Sequence, residues 1–107
     1  MTHPKLQEIL SRLQTYLESV YADRLVSLVL FGSQARKEAT DDSDIDLLIV
    51  LAGRLDVPRE RALLSEVLAD ICLEYEVLIT CLWAERKEWK TQQSPLMLNI
   101  RREGIAV

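Results

Sequence analysis

Ligands for a structural metal and covalent staples for a small fold are nearly missing from this chain. Its 107 residues hold one histidine and two cysteines. Cys72 and Cys81 fall on apolar faces and suggest neither a disulfide framework nor a zinc site. A reduced, cytoplasmic setting is expected. His3, at the terminus, reads as a solvated residue and a poor general base. Glycine and proline number only three each against 49% apolar residues. That excludes a disordered tail and points to an ordered α/β domain. No apolar run approaches the ~20 residues of a membrane span, and the N-terminus has no signal-peptide pattern. Basic charge is short as well: net charge is −4, with no basic stripe. Autonomous nucleic-acid binding therefore lacks electrostatic support. One domain over residues 1–107 is expected, large enough to bury roughly 60–70% of its unfolded surface.

The chain alternates between helical and strand patterning. Leu6, Ile9, Leu10, Leu13, Leu17 and Val20 recur at helical spacing and predict a helix opened by His3-Pro4 and closing near Tyr21-Ala22. The segment from Leu25 to Phe31 is almost wholly apolar, as in a strand covered on both faces. Gly32-Ser33 turns into a short helix, and a second strand runs from Asp44 to Leu51. Asp56 and Pro58 open another amphipathic helix with Leu63, Leu64, Val67, Leu68, Ile71 and Cys72 inward and Glu60 outward. A third strand is expected over residues 76–83. A short polar helix should start near Glu85, and a terminal helix should run from Ser94-Pro95 to a stop at Gly104. Trp89, Met97 and that helix either close the core, the preferred reading, or form a partner surface. The predicted fold class is α/β (α+β): a small mixed sheet of three or four strands, with helices packed mainly on one face.

The chemistry concentrates between Leu25 and Leu51. Side chains alternate along a strand, so Asp44 and Asp46 share a face, their α-carbons roughly 6.5–7 Å apart. Carboxylates at that spacing can hold a pair of divalent ions. Left unpaired they repel one another and are costly to desolvate, a penalty that a cation offsets. Gly32 lets the backbone approach a ligand, and Ser33 can cap the next helix, donate to a phosphate, or both. Arg36, one turn on, can reach a triphosphate tail or stay solvated. Asp41 and Asp42 read as solvated loop charges.

Gly32-Ser33 followed after ten residues by Asp44-Ile45-Asp46 resembles the signature of the nucleotidyltransferase superfamily that includes DNA polymerase beta. The string GSQARKEATDDSDIDLLIV and the ending PLMLNIRREGIAV resemble the minimal nucleotidyltransferase branch, the antitoxins of HEPN/MNT pairs. The resemblance implies a palm-like nucleotidyltransferase fold with two Mg²⁺ ions and ATP as substrate. Asp44, Asp46 and a third carboxylate, Glu76 with Glu74 as rival, would hold the metals, Glu76 also serving as base. Gly32, Ser33 and Arg36 would grip the phosphates. It further implies AMP transfer to a tyrosine of a HEPN-type toxin. In the family the arginine is usually followed by glycine, where this chain has Lys37. With no room for an acceptor domain, the acceptor would come from a second protein or a second subunit, and a homo-oligomer stays open. The alternatives are a binding module that neutralises its partner by contact, and nucleotidyl transfer to a small molecule.

Overall fold

Four strands form one mixed sheet in the computed structural model, which describes residues 3–38 and 44–107. In chain order the elements are α1 (Leu6–Tyr21), β1 (Leu25–Phe31), α2 (Gly32–Ala35), β2 (Ile45–Leu51), α3 (Val57–Tyr75), β3 (Ile79–Glu85), α4 (Arg86–Thr91), α5 (Pro95–Glu103) and β4 (Ile105–Ala106). The sheet order is β3-β2-β1-β4. β1 runs antiparallel to β2 and β4, and β2 runs parallel to β3 through the α3 crossover. Asp41 and Asp42 lie outside the described residues.

The central strand dictates the layering. Ile45 and every residue from Leu47 to Leu51 are fully buried, which requires cover on both faces. Each such side chain is worth about 1.5–3 kcal/mol of transfer free energy. On one face the α1 stripe Leu6, Ile9, Leu10, Leu13 and Leu17 packs with Leu64 and Ile71 of α3 against Leu28, Leu30, Leu47 and Ile49. On the other, Met97 and Ile100 of α5 pack with Trp89 of α4 against Val29, Leu48 and Val50. The long helices thus dominate one face, and the terminal helix closes a smaller core behind the sheet.

Local signals set the helix starts. Asp56 Oδ1 accepts from Arg59 N at 3.4 Å to open α3, and Ser94 Oγ accepts from Met97 N at 3.3 Å to open α5. Glu85 and Glu88 form a reciprocal capping box at α4. Glu60 departs from expectation: it is buried, because its Oε2 accepts from Asp56 N at 3.0 Å at the start of α3. A charge-assisted bond to an otherwise orphaned helix donor offsets part of its desolvation. No helix among the described residues is long and apolar enough to cross a membrane.

Candidate functional site

β1 ends where β2 begins, and this antiparallel register builds the site. Phe31 pairs with Asp46 on one side, and Asp46 pairs with Thr80 of parallel β3 on the other. The three form one row across the sheet on the α5 side. The chain then leaves β1 through Gly32 at φ +74°, a left-handed conformation that favours glycine. Gly32 sits directly on the Asp46 side chain: a β-carbon built there would overlap Asp46 Oδ2 and lie 3.2 Å from Asp46 Cγ. The absent side chain is what lets the turn and the carboxylate share this space.

Asp44 flanks the strand two residues earlier and is half-buried, like Asp46. Burial raises the Asp46 carboxyl above its ordinary value, the negative charge of Asp44 raises it further, and Arg36 opposes both. Asp44 is thus near enough for its charge to act on Asp46. α2 is shorter than the sequence suggests and has no side-chain cap from Ser33. A single turn of four residues builds little macrodipole.

Arg36 projects into a cleft of about 240 Å³ lined by Phe31, Gly32, Arg36, Leu96, Asn99, Ile100 and Glu103. Its guanidinium pairs with Glu38 at 3.1 Å and with Glu103 of α5 at 3.2 Å. These bonds, to Glu38 first, raise the arginine above its ordinary value. A phosphate would have to compete with both carboxylates. The Glu103 contact joins residues 67 apart in the chain, so no sequence pattern signals it. A larger concavity, about 600 Å³, lies on the α1 side between Leu10, Gln14, Leu30 and Ile105. It does not include the carboxylates, and the site is placed by their chemistry rather than by cavity size. Lys37, where glycine was expected, holds φ +60°. The left-handed turn that a glycine would make is therefore kept without one.

Two sequence expectations are corrected. The third strand begins at Ile79 rather than Glu76, because α3 continues to Tyr75 and Glu76 is its C-cap, left-handed at φ 53° and ψ 47°. Its backbone turns the chain between helix and strand, and its side chain is exposed. Glu74 is no substitute: it lies on α3, paired with Arg12 at 2.8 Å. Among the described residues, no group of three or more His, Cys, Asp or Glu is placed to hold a metal ion. Asp44 and Asp46 are together; Glu76 is not with them. Both cysteines are free, and burial pushes the Cys81 thiol up to about 12, with Cys72 adding to it. Such a thiol is a core hydrophobe and not a nucleophile.

Residues 6–92 match the family model described as "Nucleotidyltransferase domain". Three Methanocaldococcus jannaschii proteins, each named "Putative protein adenylyltransferase", are similar in sequence. MJ1305 is 36% identical over 70% of this chain and 49% of its own length. MJ0141 is 29% identical over 68% and 73%, and MJ0604 is 39% identical over 62% and 60%. The matched part thus spans about half of the first of these proteins. A Sulfolobus solfataricus structure described as a putative nucleotidyltransferase shares the fold with a TM-score of 0.59 at 20% identity, over 92% of this chain and 78% of that one. A mutant of the toxin–antitoxin pair MntA–HpeT shares it with a TM-score of 0.61 at 14% identity, over 90% and 69%. The strand–turn–strand frame, with Gly32 against Asp46, lies inside the stretch that the family model covers. The chain belongs to the nucleotidyltransferase domain family.

Proposed function

We propose that this chain transfers AMP from ATP, in the presence of Mg²⁺, to a tyrosine hydroxyl of a HEPN-type toxin partner and thereby acts as its antitoxin. The observation that carries the reading is the close packing of Gly32 on Asp46. It puts a phosphate-approaching backbone turn against a carboxylate that shares its strand face with Asp44. The names of the Methanocaldococcus relatives support protein as acceptor. The fold likeness to the toxin–antitoxin pair supports the partner class.

Asp44 and Asp46 fit a divalent cation as ligands: both are half-buried, the charge of Asp44 bears on Asp46, and the Gly32 turn lies against the Asp46 carboxylate. A bound cation would supply neutralisation of the triphosphate and a lowered pKa for the attacking hydroxyl. The remaining work falls to the chain's own groups. The Gly32 backbone admits the phosphates closely, and the Ser33 hydroxyl and first-turn N–H groups donate to their oxygens. Arg36 exchanges Glu38 or Glu103 for phosphate oxygens as the nucleotide enters the cleft. The acceptor oxygen attacks the α-phosphorus, forming an O–P bond as the bond to pyrophosphate breaks, and its proton leaves to solvent. Positioning and charge complementarity supply most of the acceleration.

Stoichiometric neutralisation without chemistry is the second reading, and the displaced Glu76 favours it. Intact-mass spectrometry on the protein encoded beside this one, co-expressed with it, separates the two. Addition of one or more AMP units that depends on ATP and Mg²⁺ establishes transfer. An unmodified partner held in a stable complex establishes neutralisation.

Glu76 offers a second check. Replacing it by glycine removes a left-handed non-glycine cap and should stabilise the fold by about 1 kcal/mol. AMP transfer should stay at the wild-type rate. Thermal denaturation and the mass assay read the two effects. Loss of transfer in a stabilised Glu76→Gly protein would return that carboxylate to the chemistry.

A further inference from the structure

The β3 side of the carboxylate pair is built from residues that carry no charge. Neighbouring strands lie about 4.8 Å apart, and paired residues project to the same face. The parallel register sets Thr80 beside Asp46 on the same face, and Thr80 is exposed. Two residues earlier on that face comes Leu78, 60% exposed, whose carbonyl already accepts from Ile45 N at 2.9 Å. Two residues later comes Leu82, packed into the α5-side core. From Leu78, just before β3, through Thr80 to Leu82, the alternate residues beside the carboxylates read Leu, Thr, Leu. On the opposite flank stand Phe31 and Gly32, also uncharged.

We propose that Thr80 is the third wall of the Asp44–Asp46 site, and that its neutral hydroxyl makes the site take up a divalent cation together with the nucleotide and not ahead of it. This rests on the reading of Asp44 and Asp46 as cation ligands given above. Affinity for a hard divalent ion follows the number of charged oxygens offered. Among the described residues, two half-exposed carboxylates and a hydroxyl supply two negative charges, and the triphosphate brings the rest. Thr80 is thus a specificity-determining position. A carboxylate there would convert a site that waits for the metal–nucleotide complex into one with a resident ion.

The test is Mn²⁺ binding, followed by electron paramagnetic resonance and calorimetry, on the wild type, Thr80→Asp, Thr80→Glu and Asp46→Asn. Each is measured with and without a non-hydrolysable ATP analogue, and thermal melting confirms that each variant is folded. Wild-type affinity for Mn²⁺ should be weak alone and rise at least about tenfold with the analogue. Thr80→Asp or Thr80→Glu should bind Mn²⁺ alone at least about tenfold more tightly than the wild type, the scale on which added ligand charge acts. Wild-type binding that is equally tight with and without nucleotide would overturn the proposal whether or not the variants fold. So would a folded carboxylate variant with no gain, provided that Asp46→Asn still loses the metal–nucleotide complex. If Asp46→Asn binds that complex as the wild type does, the assignment of the site itself fails and this proposal with it.

Discussion

Asp46→Asn is expected to lower AMP transfer by about 10³-fold or more while leaving the fold intact. The substitution keeps the shape of a side chain that packs against Gly32 but removes the charge that a cation and a developing transition state require. Losing several kcal/mol of charge stabilisation corresponds to a rate loss on that scale. Stability should move the other way. Burial, with Asp44 adding to it, raises the Asp46 carboxyl above its ordinary value of 3.8, so the folded chain holds that proton more tightly than the unfolded one. The stability this contributes is full below 3.8 and is lost as pH rises through the folded value. At neutral pH the ionised carboxylate therefore weighs against the fold, and the asparagine variant should melt no lower than the wild type without metal. Thermal melts at neutral pH and across that acid window, beside single-turnover mass assays, check both halves. A variant that transfers AMP at the wild-type rate would remove Asp46 from the chemistry.

The second large effect is expected at Gly32. Alanine there would have to hold φ +74° and place a β-carbon onto Asp46 Oδ2. The left-handed backbone and the overpacking together should cost about 2–4 kcal/mol. In a domain of this size that lowers the melting temperature by roughly 10–30 °C. The two contributions can be separated. In an Asp46→Ala background the overlap is gone, and Gly32→Ala should cost only its backbone part, about 1–2 kcal/mol. Equal costs in the two backgrounds would mean that the carboxylate and the turn do not compete for the same space.

Much of this was legible because the relevant physics is local. The apolar runs of β1 and β2, the α1 stripe and the caps at Asp56 and Ser94 each sit within a few residues of the element they specify. The shared face of Asp44 and Asp46 follows from strand alternation alone. The failures share a cause as well. α3 ends without a glycine, so nothing in the sequence announces its stop, and residues 76–83 alternate well enough to imitate a strand start. Glu60 looked solvated because its partner is the backbone N–H of Asp56, whose need for an acceptor appears only once the helix start is fixed. The Arg36–Glu103 pair and the Asp46–Thr80 register depend on where α5 and β3 dock. Lys37 stands where the family usually has glycine, and it holds φ +60°, in the left-handed region that favours glycine.

The strand that carries Asp46 and the helix that borders the neighbouring cleft differ in how firmly they are anchored. β2, which carries Asp46, lies at the centre of the sheet with its apolar side chains sealed on both faces. α5, which carries Asn99 and Glu103, is held by Met97 and Ile100 and by Arg101 bonds to the carbonyls of Trp89 and Gln92. Hydrogen exchange is therefore expected to release α5 amides through a smaller, sub-global opening than the one that exposes the amides of β2. Asp46 is thus fixed to the middle of the sheet, while the cleft beside it is bordered by the less deeply packed helix. The Arg36–Glu103 pair is one of the ties between the cleft's arginine and that helix, and a ligand that draws Arg36 away removes it.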